Sequence, residues 1–205
     1  MNLRLCAAII PEPERPAGGW FVGLSRYSQR VTDQRALERL IALVPPPPNP
    51  KFALGSWEEL FAELGTKLPA DYVALIDVYG SIAFSEWLGV GDPRRDKWGA
   101  TMVTDARETG DLYRYFRSRS PEEYPFAAWP EPGGFLPWGG SIDGDYLGWL
   151  TEGVPELWPV AVWPRHSDEH RVINLTMTEV LVRWFSGDLV GGDLLDLAPV
   201  DCRPW

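Results

Sequence analysis

The chain has 205 residues, 45% of them hydrophobic, enough to bury one continuous core without disulfide or metal staples. Its 29 acidic against 19 basic residues leave a net charge of −10, which repels phosphate backbones and anionic lipid, so nucleic acid and membrane surfaces are disfavoured as partners and a basic protein is favoured. Twenty glycines, twenty prolines and eleven tryptophans exceed helical-bundle usage and require turns and strands beside helices, an α+β class.

Cys6 and Cys202 lie at opposite ends of the chain, too few for a disulfide framework and without metal-ligand spacing, so reduced thiols are expected. The apolar run Leu5 to Ile10 is shorter than a signal-peptide core and lacks a cleavage site. No stretch approaches the roughly 20 apolar residues of a membrane span. A cytoplasmic protein is the expectation.

Met1 to Arg30 carries Pro11, Pro13, Pro16 and Gly18-Gly19 with no sustained period, and reads as a loose extension. From Asp33, Leu37, Leu40, Ile41 and Val44 fall at i, i+3, i+4 and i+7, one buried helix face, which Pro45 to Pro48 end. Four prolines favour polyproline II, a stiff spacer of about 3 Å per residue, with an SH3-type ligand as the alternative.

Ser56-Trp57-Glu58-Glu59 is a capping-box sequence opening a second helix with Trp57, Leu60, Phe61 and Leu64 on one face and Gly65 as its stop. Leu68-Pro69 opens a third, with Tyr72, Leu75, Ile76 and Tyr79 inward and Gly80 after it. Ile82, Phe84 and Leu88 then predict a strand that ends at Gly91-Asp92-Pro93. Thr104 to Arg117 predicts a helix with Leu112, Tyr115 and Phe116 inward, although Gly110 weakens it by about 1 kcal/mol against alanine.

From Gly134 the pattern is a meander: Phe135 to Trp138, the Asp143-Gly144 turn, Tyr146 to Leu150, Trp158 to Trp163, and Arg171 to Ile173. A last helix opens at Thr176 with a capping box to Glu179, buries Met177, Val180, Leu181 and Trp184, and stops at Gly187. The sum is a single domain with a central antiparallel sheet flanked by N-terminal and C-terminal helices, over residues 31–189, between the extension 1–30 and a tail 190–205.

Three stretches carry a family resemblance. Leu68-Pro69-Ala70-Asp71-Tyr72 runs on to Tyr79-Gly80. Gly133-Gly134-Phe135-Leu136-Pro137-Trp138-Gly139 is followed by Asp143-Gly144-Asp145 and Trp149. Trp158-Pro159-Val160-Ala161-Val162 precedes the closing helix to Gly187-Asp188-Leu189. In this order they resemble the SUKH superfamily, which includes bacterial immunity proteins and a yeast cell-wall synthesis regulator. The resemblance implies an α+β fold and, in most bacterial members, neutralisation of a polymorphic toxin, frequently a nuclease or deaminase. It supplies no catalytic residues.

Candidate chemistry reads as turn chemistry. His166-Ser167-Asp168-Glu169-His170 offers two imidazoles and two carboxylates, but the spacing matches neither a helical zinc motif nor a finger pair, and the flanks place it in a hairpin turn. Asp143 with Asp145, or Glu122 with Glu123, has the composition of a glycosidase pair, yet Asp143-Gly144-Asp145 is explained by the backbone a hairpin needs. No phosphate loop, nucleophile elbow or Cys/His pair is present, so no catalytic residue, metal or cofactor is assigned.

Trp57 and Trp184 read as core, while alternation along the meander divides Trp138, Trp149, Trp158 and Trp163 between the two sheet faces, with a core role favoured for each. The expected activity is binding: an immunity protein that meets a basic toxin through an acidic surface formed by Asp143, Asp145 and Glu152 beside Trp149. The alternatives are a regulatory scaffold like the yeast relative, using Met1 to Arg30, and a carbohydrate-active enzyme or binding module.

Overall fold

The structure, a computed structural model, describes residues 35–166, 169–189, 191 and 194–205. The expected extension lies outside the described residues. Helix α1 is described over 35–43, and Ala36, Leu40 and Val44 bury one stripe of its turns and exit. Helix α2 (Trp57–Leu64) starts at the expected capping box. The Ser56 hydroxyl accepts the Glu59 N–H, the Glu59 carboxylate accepts the Ser56 N–H, and Gly65 ends the helix at φ 72°. Helix α3 (Ala70–Tyr79) follows Pro69 and buries Tyr72, Leu75, Ile76 and Tyr79 as predicted. Gly80, at φ 66°, is required twice over, since a Cβ there would sit 2.2 Å from the Lys51 carbonyl oxygen.

The predicted strand after Gly80 is a hairpin instead. Strands β1 (Ile82–Phe84) and β2 (Leu88–Val90) pair antiparallel, and the chain reverses at Ser85 and Glu86, with φ of 50° and 53°. Neither residue is a glycine or asparagine, so the turn carries no local marker. Tertiary partners hold it: the Ser85 N–H donates to the Asp201 carbonyl and Arg203 pairs with Glu86.

Helix α4 (Met102–Arg117) forms where expected but presents a different face. Met102, Val103, Ala106, Thr109, Gly110 and Tyr113 are buried, whereas Leu112 and Tyr115 are exposed and Phe116 is half-buried. Ala106, Thr109 and Gly110, the small residues in the middle of the inward stripe, let the helix lie close to backbone. A Cβ on Gly110 would already approach the Trp129 carbonyl oxygen to 3.2 Å.

The meander forms as predicted: β3 (Phe135–Ser141), β4 (Tyr146–Leu150), β5 (Val160–Trp163) and β6 (Arg171–Ile173), followed by α5 (Met177–Phe185) with its Thr176–Glu179 capping box. The tail does not stay apart. Strand β7 (Cys202–Pro204) pairs antiparallel with β1, so the domain runs past residue 189, and among the described residues the sheet has seven strands in the order β6-β5-β4-β3-β2-β1-β7. Three residues ending in proline show no alternation pattern from which to read a strand.

Alternation divides the sheet into two unlike faces. Ile82, Phe84, Leu88, Val90, Leu136, Leu147, Trp149, Val160 and Val162 join Leu40, Leu60, Tyr72, Leu75, Val180, Leu181 and Trp184 in the main core. On the other face Phe135, Ala161 and Trp163 form a second cluster with Tyr113 of α4 and with Phe126. That cluster covers the β3-β4-β5 end of the face. Toward β1 and β2 the same face carries Ala83, Gly89 and Gly140, and there α4 and the sheet leave a groove.

Candidate interaction groove

The four residues expected to form an acidic surface do not form one. Trp149 is 1% exposed and belongs to the core, a correction that follows from strand period: Leu147 and Trp149 of β4 point to the face covered by α3 and α5. Asp145 is also buried, because the β3–β4 turn folds back on its carboxylate. Oδ2 accepts the Ser141 hydroxyl at 2.5 Å and Oδ1 accepts the Arg165 N–H at 2.8 Å. Asp143 is exposed but accepts the Trp87 indole N–H at 2.7 Å. Glu152 is exposed beyond the far end of the five-residue strand β4.

The acid that faces an open concavity lies on α4. Asp105 and Glu108 stand one helical turn apart and line a cavity of about 350 Å³ between α4 and the bare part of the sheet. Gly89, Gly91, Gly139 and Gly140 give it a floor of backbone. Trp205 lies on that floor: a Cβ on Gly89 would come within 2.7 Å of the indole ring. The residue is held because the Trp205 backbone N–H donates to the Ser81 carbonyl at 2.9 Å, immediately after β7. One side of the indole thus rests on backbone while the residue is 64% exposed.

The third acid of the groove, Asp92, is neutralised. The Arg94 guanidinium donates to both its carboxylate oxygens, at 2.9 and 2.6 Å, and the backbone N–H groups of Arg94 and Ala53 add two more bonds. Among the described residues neither Asp105 nor Glu108 has an ion pair or hydrogen-bond partner, whereas Arg114 at the other end of α4 is paired with Asp111 and Glu131. Asp105 is exposed as a whole residue, yet the cavity wall shields its carboxyl. That burial, and then the neighbouring charges of Glu108 and Asp96, raise its pKa. Trp138, a further part of the wall, is buried with its indole N–H lacking an acceptor among the described residues.

A second cavity of about 520 Å³ lies across Tyr146, which lines both. Trp163, Tyr124, Arg165, His166 and His170 line it, and His170 packs edge-on against Tyr124 with ring centroids 5.8 Å apart. Ser167 and Asp168 of that turn lie outside the described residues. Tyr113 beneath accepts the Phe126 N–H at 2.9 Å and lies 3.3 Å from His170 Nε2. Burial pushes its phenol up to about 12, so it stays neutral at physiological pH. Among the described residues no three His, Cys, Asp or Glu side chains are grouped as metal ligands, and no helix is long and apolar enough to cross a membrane.

The family model described as SUKH_6, SMI1-KNR4 cell-wall, matches residues 55–177. The chain belongs to this family. No curated protein and no solved structure gives a significant match. The matched span of this SUKH chain holds the antiparallel meander, α4 and the glycine floor with Asp105 and Glu108. Trp205, which completes the groove, lies outside it.

Sequence reasoning missed Asp105, Glu108 and Trp205. One sign was present: neither acid has a base four residues on, where Thr109 and Leu112 stand, so neither had a helical salt-bridge partner to occupy it. Nothing local places Trp205 against Gly89, because that contact depends on β7 reaching β1.

Proposed function

We propose that this SUKH chain is a cytoplasmic immunity protein that binds a cognate toxin through the acidic groove beside α4, and acts by occlusion without catalysing a reaction. The observation that carries the reading is the pair Asp105 and Glu108, carboxylates without a cation among the described residues, in the wall of a cavity that also holds an exposed tryptophan. A net charge of −10 would steer a basic toxin toward the protein, and a desolvated aromatic anchor with flanking charge would slow its departure. A basic nuclease or deaminase has the required charge.

The test is co-expression with the product of the adjoining reading frame. The chain should restore growth to cells making that product, and Asp105→Lys with Glu108→Lys should abolish the protection while the protein stays soluble at the same level. Full protection by the double variant would remove the groove from the account. A regulatory scaffold, the second reading, is favoured by the family's cell-wall description. It predicts no growth protection and several partners recovered in place of one.

A further inference from the structure

Resting on the binding reading above, we infer that the groove takes an arginine or lysine side chain from an extended segment of the partner protein, seated on the Trp205 indole and held by Asp105 and Glu108. Three independent features converge on such a ligand. Two carboxylates one turn apart on α4 face the cavity without a cation among the described residues, so a basic side chain placed there meets two uncompensated charges. The indole of Trp205, supported from below by Gly89 and 64% exposed, offers an aromatic surface for a guanidinium or ammonium group. Trp138 lines the same cavity, and its buried indole N–H, without an acceptor among the described residues, is a donor that a backbone carbonyl would satisfy, which a peptide has and a small amine lacks.

The glycine floor explains why an extended segment fits. At Gly89 and Gly140 added Cβ atoms would fall 2.7 Å from Trp205 and from the Asp145 carbonyl oxygen, so larger residues would fill or distort the depression. A cavity of about 350 Å³ accommodates one long side chain and its adjoining peptide units rather than a folded element.

The probe is a capped Gly-Arg-Gly peptide, titrated into the full-length 15N-labelled chain and followed through the indole N–H signals, with capped Gly-Ala-Gly and Gly-Glu-Gly as controls. The arginine peptide should shift the Trp138 and Trp205 signals saturably, with affinity reduced about tenfold or more in Asp105→Asn/Glu108→Gln and in Trp205→Ala. Movement of neither indole, or equal movement with the alanine peptide, overturns the inference.

Because no toxin is present, this outcome is separate from the immunity reading. A protective chain whose groove ignores the peptide meets its toxin elsewhere. A chain that binds the peptide but protects no cell keeps the groove and loses the toxin.

Discussion

Trp149→Ala should lower the free energy of unfolding by about 3–5 kcal/mol, enough to leave a substantial part of the chain unfolded at 37 °C. The indole sits at the centre of the main core. Tyr72 meets it edge-on with ring centroids 5.0 Å apart, and Trp138 and Trp158 lie at 6.1 and 6.3 Å. On the sheet it stands between Leu136 of β3 and Val160 of β5. Truncation removes the buried area of a large ring and leaves a void flanked by three aromatic residues that cannot all collapse into it. Trp149→Phe should recover part of the loss. Urea unfolding separates this from a role in partner contact, which would cost binding and leave the midpoint unchanged.

Asp71 should dominate a second stability effect. Its buried carboxylate, on α3, accepts the backbone N–H of Thr178 at 2.9 Å and its hydroxyl at 3.1 Å, supplying α5 with an N-terminal cap from another helix. Asp71→Ala strands both buried donors and should cost about 2–4 kcal/mol, whereas Asp71→Asn keeps an acceptor and should cost less.

Burial raises the Asp71 pKa above 3.8, and the hydrogen bonds from Thr178 offset only part of that rise. A raised pKa means that the folded state holds this proton more tightly than the unfolded one. Its contribution to stability is therefore greatest below about pH 3.8, falls as pH rises from there through the folded pKa, and is level above it. Comparing urea midpoints of wild type and Asp71→Asn across that window cancels the other carboxylates. The difference between them should change with pH in the acid range and be constant near neutrality; a difference that is flat throughout would contradict the raised pKa.

Elements with a local code were legible in the sequence. The capping boxes at Ser56 and Thr176, Gly65 and Gly80 at helix ends, and the Asp143-Gly144 turn each depend on a few adjacent residues, and each lies where the pattern put it. What failed was long-range. Ser85 and Glu86 turn because Asp201 and Arg203 hold them, β7 is a strand because β1 has a free edge, and α4 turns Gly110 inward because the backbone of Trp129 is close.

The candidate site failed for the same reason. Asp143 and Asp145 read as acidic surface, but an indole N–H and a backbone amide from distant segments occupy them. Asp105 and Glu108 read as ordinary helix polarity, and only the packing of α4 over a glycine floor, with Trp205 delivered by β7, makes them a site.

Binding of a basic toxin by the acidic groove is tested most directly by calorimetry of the full-length chain against the product of the adjoining reading frame at low and high salt, with Asp105→Asn/Glu108→Gln measured beside wild type. Binding should be tight, weaken with salt, and weaken again, with a smaller salt dependence, in the double variant. Absence of binding at both salts, or tight binding indifferent to salt and to the two substitutions, would contradict it.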